Sequence, residues 1–185
     1  MKVAVYSGSF NPLHIGHQAI IEYLTKEGLF DHVYLIVSPQ NPFKDAANVL
    51  TGRERFEAAV AAVARHHELN VTVDDIELTM DPPNYTIRTL DALKEREPEN
   101  DFTLVIGGDN LDCLMQWRDP ERILLEYGVA VYPRTGFDIE AIREELLTQN
   151  PDYRIMVLDA PIVDISSTQI REGLALGKDM SSVMM

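Results

Sequence analysis

Cysteine and basic side chains are both scarce in this chain of 185 residues. The single cysteine, Cys113, excludes an intrachain disulfide framework, and we expect it to be a small buried apolar residue. Lys and Arg number 16 against 30 Asp and Glu, so the formal net charge is −14. Nucleic acids and anionic membranes bind surfaces on which Lys and Arg are clustered, and this charge balance therefore argues against both as partners.

Long apolar runs are absent as well. No stretch approaches the roughly 20 residues that span a bilayer, and the N-terminus lacks a basic segment followed by an apolar core and a cleavage site. These absences, together with the single cysteine, predict a cytoplasmic protein. The chain also lacks internal repeats, low-complexity segments and Gly/Ser linkers, so we expect one domain over residues 1–185.

Short apolar runs alternate with amphipathic stretches along the whole chain. We expect strands at residues 3–6, 33–37, 71–78, 102–106, 128–132 and 154–158. We expect helices from His17 to about Gly28, from Thr51 to about His67, and at about 86–96, 111–117, 138–148 and 168–176, with a further helix starting at Pro120. Thr51 with Glu54 forms a capping-box pattern, and Asp138 is a candidate N-cap. The alternation predicts an α/β fold of Rossmann-like type, a doubly wound parallel sheet with helices on both faces.

The most informative stretch directly follows the first strand and reads GSFNPLHIGH over residues 8–17. Open α/β sheets bind phosphates at such a first strand–helix turn, through backbone N–H groups and the dipole of the following helix. His14 and His17 stand one helical turn apart and could face the same ligand, while Gly16 leaves one side of the turn clear. The stretch matches neither the dinucleotide fingerprint nor the Gly-Lys-Ser/Thr phosphate loop. The alternative is a strand–helix corner whose two histidines only cap or pack.

The pattern Gly-x-Phe-x-Pro-x-His-x-Gly-His resembles the signature of the nucleotidylyltransferase superfamily, whose members transfer a nucleoside monophosphate from ATP or CTP onto a phosphate. Three later stretches, NYTIRTL at 84–90, IGGDNL at 106–111 continuing to Trp117, and ISSTQIR at 165–171, resemble bacterial nicotinate-nucleotide adenylyltransferases. The resemblance extends over nearly the whole chain. It implies the reaction of ATP with nicotinate mononucleotide to give deamido-NAD and pyrophosphate, a step of NAD biosynthesis.

Three alternatives stay open beside this reading. The enzyme could resemble phosphopantetheine adenylyltransferase, although that relative has Thr in place of His14 and a different final motif. It could accept both nicotinate and nicotinamide mononucleotide, or it could be a non-catalytic nucleotide-binding regulator. The chain also departs from the family, which commonly has Asp where Arg88 stands and often Asp where Asn11 stands. Members usually continue with another helical segment after about Lys178, so the packing of the C-terminal region is open.

The chemistry of the reaction suggests which residues act on ATP. A phosphate monoester is already ionised at pH 7, so the site must provide positive charge and alignment rather than a general base. His17 can donate to the α-phosphate with His14 beside it, Lys44 can neutralise a phosphate, and Arg171 can hold the leaving pyrophosphate. The full set of expected ATP-binding residues is Gly8, Ser9, Phe10, His17, Gly107, Asp109, Ile165, Ser166, Ser167, Thr168 and Arg171.

The resemblance implies a second set of residues for the nicotinate nucleotide. These are Asn11, Asn41, Lys44, Tyr85, Thr86, Asp109, Trp117 and Arg134. Trp117 is the only tryptophan and could stack on the electron-poor pyridinium ring, whereas its ordinary role would be a core residue.

No group of His, Cys or Asp has the spacing of a structural zinc site. We expect no resident metal; the one cofactor is Mg²⁺ carried by ATP, and a transition metal held by His14 and His17 is the disfavoured alternative. The expected partners are ATP and nicotinate mononucleotide, with no nucleic acid and no membrane. Assembly into a homo-oligomer is left open.

Overall fold

The computed structural model describes residues 1–26, 28–39 and 50–185. Six strands form one sheet in the order β3-β2-β1-β4-β5-β6, and every neighbouring pair is parallel. The strands are β1 (Lys2–Gly8), β2 (His32–Val37), β3 (Val71–Asp74), β4 (Asp101–Gly107), β5 (Val129–Tyr132) and β6 (Ile155–Val157).

Helices connect successive strands, and a final helix follows β6. They are α1 (Ile15–Lys26), α2 (Gly52–Ala64), α3 (Ile76–Thr79), α4 (Thr86–Arg96), α5 (Gly108–Cys113), α6 (Pro120–Arg122), α7 (Ile139–Gln149) and α8 (Ser167–Ala175). A 3₁₀ turn (Leu114–Gln116) follows α5, and a π-helical turn (Ile123–Tyr127) continues α6.

The direction of winding reverses between β1 and β4. β1 pairs with β2 on one side, Val3 lying opposite His32, and with β4 on the other, Val3 lying opposite Phe102. The chain therefore builds outward from β1 in one direction and from β4 in the other. Open α/β sheets bind ligands in the crevice at the carboxyl ends of the strands where this reversal occurs.

Both faces of the sheet are covered by a core. Along β1, Val3 and Val5 pack with buried residues of α4, α5 and α7, whereas Ala4 and Tyr6 pack with buried residues of α1 and α2. Successive side chains of a strand point to opposite faces, so this division places helices on both sides. The predicted doubly wound α/β fold is confirmed.

Side-chain caps fix the starts of three helices, two of them at residues where the sequence predicts a cap. Thr51 and Glu54 form a reciprocal capping box at α2, and Asp138 accepts a hydrogen bond from the backbone N–H of Ala141 at α7. At α8 the cap is Ser166, paired with Gln169. These bonds satisfy backbone donors that the helix itself leaves unpaired.

Two local predictions were wrong. The strand expected over residues 71–78 ends at Asp74, because its carboxylate accepts the backbone N–H of Ile76 at 2.9 Å and turns the chain into α3. Cys113 is half-buried rather than buried, and its thiol lies 3.6 Å from the carbonyl oxygen of Asn110.

The segment after α8 returns to the first strand–helix turn. The N–H of Ile15 donates to the carbonyl of Val183 at 3.0 Å, and the N–H of Met185 donates to the carbonyl of Leu13 at 3.3 Å. The Met185 side chain is buried in the core on the α1 and α2 side. This segment therefore supports the turn that carries His14 from behind.

Within residues 1–26, 28–39 and 50–185, no helix combines the length and the apolar character needed to cross a membrane.

Candidate active site

The turn after β1 is shaped by a close contact between Gly8 and Phe10. Phe10 has φ of 48°, a left-handed conformation that is unusual for a bulky residue. Its ring lies so close to Gly8 that a Cβ atom there would approach the ring to 3.0 Å. Glycine at position 8 and the strained backbone at Phe10 therefore depend on each other, and such strain concentrates at functional sites.

His14 and His17 stack on each other at the start of α1. Their ring centroids are 3.7 Å apart with an interplanar angle of 26°. Nδ1 of His17 accepts the backbone N–H of His14 at 3.1 Å, and Nδ1 of His14 accepts that of Gly16 at 3.0 Å. A neutral imidazole carries one proton, so these two bonds assign the proton to Nε2 in both rings. A Cβ atom on Gly16 would lie 2.9 Å from the His14 ring, so the stack requires glycine there.

Both imidazoles are neutral at physiological pH. Burial, and secondarily the positive charge of Arg134, lowers the pKa of His14 to about 4. Burial, followed by His14 and Arg134, lowers the pKa of His17 to about 3. Loss of water disfavours the charged form, and neighbouring positive charge disfavours it further. Each ring therefore offers one neutral Nε2–H donor.

An aromatic cluster at the carboxyl ends of β1 and β5 holds the His17 ring. Phe10 packs edge-on against it with centroids 5.1 Å apart, and Tyr6 lies 6.1 Å away. Tyr132 packs edge-on against Tyr6 at 6.0 Å. Burial raises the pKa of Tyr6 well above its usual value, so its hydroxyl stays protonated. No motif in the sequence distinguishes Tyr6 and Tyr132, although each lies near the carboxyl end of a predicted strand.

The histidines face a cavity of about 280 Å³ at the reversal point of the sheet. Its walls come from the turn after β1, the end of β5, and the segment leading into α8. Its lining includes Gly8, Ser9, Phe10, His14, His17, Arg134, Ile165, Ser166 and Ser167, all of which are predicted site residues. Three regions far apart in sequence thus meet where the topology predicts a ligand.

Helix α8 is bound directly to the histidine turn. The Ser167 hydroxyl donates to the carbonyl of Pro12 at 2.9 Å. Arg171 donates from Nη1 to the carbonyl of Asn11 at 2.6 Å and from Nη2 to the Thr168 hydroxyl at 3.1 Å. The start of α8 and its guanidinium group are therefore held beside the first motif.

A second cavity, of about 330 Å³, adjoins the first and shares Arg134, Ile165 and Ser166 with it. Asp109, in the first turn of α5, lines this cavity and forms an ion pair with Arg134 at 3.5 Å. A Cβ atom on Gly107 would lie 2.6 Å from the Asp109 carboxylate, so glycine there permits the close approach. Asp109 and Arg134, which follow neighbouring strands, thus meet at the carboxyl edge.

Of the residues predicted for the pyridine nucleotide, Asp109 and Arg134 line these cavities, whereas Tyr85, Thr86 and Trp117 do not. Tyr85 immediately precedes α4, Thr86 begins it, and half-buried Trp117 follows the 3₁₀ turn and packs against the core. The guanidinium group of Arg118 lies 4.8 Å from the centroid of the Tyr85 ring, which places Tyr85 beside the Trp117 segment. Asn41 and Lys44 lie outside the described residues.

Comparisons with known proteins agree with this geometry. The model of the cytidylyltransferase-like family matches residues 5–173. A protein of Bacteroides fragilis named nicotinate-nucleotide adenylyltransferase is 42% identical over 180 residues, which cover 97% of this chain and 85% of that protein. A protein of the same name from Flavobacterium johnsoniae is 35% identical over 184 residues, covering 100% of this chain and 92% of the relative. The chain belongs to the nicotinate-nucleotide adenylyltransferase family.

The fold is also that of a solved structure, the nicotinic acid mononucleotide adenylyltransferase of Plasmodium falciparum complexed with NaAD. The TM-score is 0.76 at 20% identity, over 98% of this chain and 87% of that one. Family membership confirms the resemblance predicted from the four motifs, and with it an enzyme of the nucleotidyltransferase class that belongs to NAD biosynthesis.

Arg88, which departs from the motif of nicotinate-nucleotide adenylyltransferases, has a visible structural role. Its Nη1 donates to the carbonyl of Asp81 at 3.0 Å and also to that of Pro83. The guanidinium group thus ties down the loop that leads to Tyr85 and the start of α4. An aspartate at this position could not make these contacts, since an ionised carboxylate has no donor.

Proposed function

We propose that this protein transfers the adenylyl group of ATP to nicotinate mononucleotide, giving deamido-NAD and pyrophosphate. The observation that carries the proposal is the stacked pair of neutral imidazoles whose Nδ1 atoms are both occupied by backbone N–H groups. This arrangement leaves two Nε2–H donors beside a cavity at the reversal point of the sheet. Donors fixed in such a place suit the phosphates of a bound nucleotide.

The reaction needs alignment and charge more than proton transfer. The acceptor is a phosphate monoester whose oxygen is already ionised at pH 7, so it can attack the α-phosphorus of ATP without a general base. Bringing two anions into line is the main difficulty, and fixed donors lower that barrier. A neutral, preoriented imidazole provides a donor that need not reorganise as the transition state forms.

Each histidine has a distinct part in this scheme. His17 donates from Nε2 to the α-phosphate, where charge develops during the transfer. His14 stacks on His17, holds its orientation, and offers its own Nε2–H to a neighbouring phosphate oxygen. Lys44 is assigned to the incoming or the transferred phosphate, as expected from the sequence.

The start of α8 receives the leaving pyrophosphate. The hydroxyls of Ser166 and Thr168 and the first backbone N–H groups of the helix provide donors for an anion, while the Ser167 hydroxyl donates to the carbonyl of Pro12 and holds the helix in place. Arg171 adds a positive charge that is already held beside the first motif. The adjoining cavity, with Asp109, Arg134 and Ile165, has room for the adenosine part of ATP.

Mg²⁺ is proposed to enter with the triphosphate. In the part of the chain that the structure describes, no three His, Cys, Asp or Glu side chains are grouped so that they could hold a metal ion. A magnesium ion that enters with ATP would be bound mainly by phosphate oxygens and water. When bound, the ion neutralises phosphate charge, while His17 and Arg171 act on the oxygens of the transferred and leaving groups.

The pyridine nucleotide is assigned to the region between the first motif and the start of α4. Tyr85 and Thr86 present a helix start whose Tyr85 side chain forms no cap, so backbone N–H groups there are available to a carboxylate. Trp117 offers a ring face for the pyridinium, and Asn11, next to the histidine turn, is assigned to the acceptor nucleotide from the sequence. Asn41 belongs to the same assignment from the sequence.

Pyrophosphate release from the purified protein tests the proposal. ATP and Mg²⁺ are combined with nicotinate mononucleotide, nicotinamide mononucleotide or phosphopantetheine in parallel reactions. We expect release with nicotinate mononucleotide and formation of deamido-NAD in equal amount. Release only with phosphopantetheine, or nucleotide binding with no release from any acceptor, would overturn the proposal in favour of the alternative enzyme or a non-catalytic regulator.

A further inference from the structure

Three polar side chains are buried below the carboxyl edge of the sheet, away from the histidines. Arg55 of α2 and Thr89 of α4 are each 1% exposed, and Glu77 of α3 is 6% exposed. Arginine and glutamate are seldom buried to this extent, because removing a charge from water is costly unless it is well solvated by the protein. The hydrogen-bond partners of these side chains therefore show which parts of the chain they hold together.

Arg55 connects the carboxyl ends of the neighbouring strands β1 and β2. Its Nη1 donates to the carbonyl of Ser9, in the turn after β1, and to the carbonyl of Ser38, directly after β2, both at 2.8 Å. Its Nε donates to the carbonyl of Leu50 at 3.3 Å. Among the described residues Nη2 has no hydrogen-bond partner. One guanidinium group thus fixes the distance between two loops.

Glu77 continues the connection from Ser38 to α4. Its Oε2 accepts from the Thr89 hydroxyl at 3.2 Å. The Ser38 side chain lies near the carboxyl group, and burial raises the pKa of Glu77 to about 7. The backbone carbonyl of Glu77 accepts from Nδ2 of Asn84 at 3.1 Å, just before the start of α4. Glu77 therefore holds α4 through its carboxyl group and the loop before α4 through its backbone carbonyl.

Ser38 lies between the two buried side chains, since its carbonyl accepts from Arg55 and its side chain lies near the Glu77 carboxyl group. The network begins at Ser9, in the first motif, and ends at α4, whose start is assigned to the pyridine nucleotide. It consequently spans the two halves of the proposed site from beneath. Packed apolar residues of similar volume could fill this space with equal or greater stability. The polar side chains therefore serve to fix the positions of the loops that they bind.

We propose that Arg55 and Glu77 are positioning residues for adenylyl transfer, which set the phosphate-binding turn and the start of α4 at the separation that in-line attack needs. The inference rests on the proposed function, because it uses the two substrate halves assigned there. Neither side chain has to contact a substrate. A displacement of about 1 Å between reacting groups can reduce a rate about 100-fold, so small shifts in these loops are sufficient.

A matched pair of variants at Thr89 tests the Glu77 arm. Thr89→Val removes the hydroxyl and keeps the shape, whereas Thr89→Ser keeps the hydroxyl. We expect Thr89→Val to lower kcat/KM for nicotinate mononucleotide at least fivefold, and Thr89→Ser to stay within twofold of wild type. Glu77→Gln, which keeps an acceptor oxygen, should fall between Glu77→Ala and wild type. Leu93→Ala, a buried change on the same helix outside the network, should lower the melting temperature without raising KM.

Variants of Arg55 and of neighbouring Arg53 test the part of the network that Arg55 forms. Arg55→Met should raise the ATP dissociation constant and KM at least fivefold, while Arg53→Met, on the same helix but half exposed in its side chain and paired with Asp75, should change neither by more than twofold. Kinetic losses that simply follow the melting temperature, as in Leu93→Ala, or equal behaviour of Thr89→Val and Thr89→Ser, would overturn the inference.

Calorimetric titration with ATP separates this inference from the proposed function. If the wild-type protein binds ATP but releases no pyrophosphate with nicotinate mononucleotide, the proposed function fails, and the Arg55→Met and Arg53→Met affinities still decide whether Arg55 positions the phosphate-binding turn. If the wild-type protein is active and the Arg55→Met affinity and kinetics match those of wild type, the positioning role fails alone.

Discussion

The stacked imidazoles of His14 and His17 show how single residues define the chemistry of the site. Each Nδ1 accepts a backbone N–H, so each ring can act on a ligand only through Nε2. Burial keeps both rings neutral, and they act as oriented donors rather than as fixed charges. A bound triphosphate would bring negative charge close to them and raise their pKa values again, which strengthens the donors only when ATP is present.

Replacing His17 with alanine tests its part in the transition state. Loss of one preoriented donor is worth about 2.7 to 4 kcal/mol, so we expect His17→Ala to lower kcat by roughly 100-fold or more with little change in the ATP affinity. Steady-state pyrophosphate release and the melting temperature are the measurements. His67→Ala, an exposed histidine outside the site, is the control. Activity of His17→Ala within a fewfold of wild type would remove His17 from the mechanism.

The depressed pKa of His17 also predicts a pH effect on stability. The unfolded chain takes up a proton near the ordinary pKa of about 6.5, whereas the folded protein resists protonation until about pH 3. The contribution of His17 to the free energy of unfolding is therefore fully present above pH 6.5. It falls as the pH drops through this window, because the unfolded state binds more protons. His17→Gln lacks this group, so its free energy of unfolding should decline less steeply between pH 6.5 and 4.

Urea unfolding at several pH values measures that slope for both proteins. His67→Gln, which changes an exposed histidine, should retain the wild-type slope. Identical slopes for wild type and His17→Gln would show that the His17 imidazole is not shielded in the folded protein.

At this scale the sequence predicts residues that belong to a motif and misses those that act through burial. His14, His17 and Arg171 stood out because their spacing fits a known pattern. Arg55 lies in the segment GRERFE beside Arg53, and nothing in that segment separates the buried arginine from the exposed one. Glu77 was assigned to a strand, so its burial against Thr89 could not be foreseen. Long-range packing decides which charged side chain is enclosed.

Among the elements, α8 does more than complete the fold. It begins at a capping box, and Ser167 and Arg171 then bind carbonyl groups of the histidine turn. Strands and helix caps with strong local signals were predicted well, as at α2 and α7. The end of β3 was not, because the bond from Ile76 to the Asp74 carboxylate overrides the alternating pattern that continues to residue 78.

Arg171→Ala tests whether α8 serves the reaction. The change removes the charge proposed for the leaving pyrophosphate and the bond to the carbonyl of Asn11, so we expect a roughly tenfold higher KM for ATP together with a lower kcat. Ser167→Ala loses only the bond to Pro12 and should change both constants less than threefold. Unchanged constants in Arg171→Ala would make α8 a purely structural helix.

The segment from Val183 to Met185 provides a second test among the elements. Met185 is buried behind the histidine turn, and Met185→Ala should lower the free energy of unfolding by about 2 kcal/mol. We also expect kcat to fall more than either KM changes, because the paired backbone of Leu13 and Ile15 loses its support. Met184→Ala, at a half-buried position, is the control. Equal kinetics in the two variants would limit the segment to a stabilising role.

For the molecule as a whole, the sheet order favours nucleotide binding, whereas the net charge opposes it. The order β3-β2-β1-β4-β5-β6 brings residues from three distant regions to one crevice, and the alternation of strands and helices was enough to predict this class of fold. The net charge of −14, in contrast, repels anionic nucleotides at long range. Binding therefore has to depend on a few local donors, which only the folded arrangement identifies.

The preference between two pyridine nucleotides tests whether the local donors outweigh the repulsion of anions by the net charge. Nicotinate mononucleotide carries a carboxylate where nicotinamide mononucleotide carries a neutral amide, so the long-range field disfavours the acid. Near the start of α4, free backbone N–H groups, the helix dipole and the Arg118 guanidinium over the Tyr85 ring provide local positive potential. An amide would place its own N–H donors against these donors. Each buried donor that then lacks an acceptor costs about 1 to 3 kcal/mol.

We therefore expect kcat/KM to favour nicotinate mononucleotide by at least roughly tenfold, the factor that corresponds to about 1.4 kcal/mol. Initial rates with each nucleotide at saturating ATP measure the ratio. Arg118→Ala should reduce the ratio severalfold and leave the KM for ATP unchanged, whereas Arg122→Ala, whose guanidinium pairs with Asp91 and Glu126, should leave the ratio intact. Comparable efficiency with both nucleotides, or preference for the amide, would refute a carboxylate site at the start of α4 and indicate an enzyme of dual specificity.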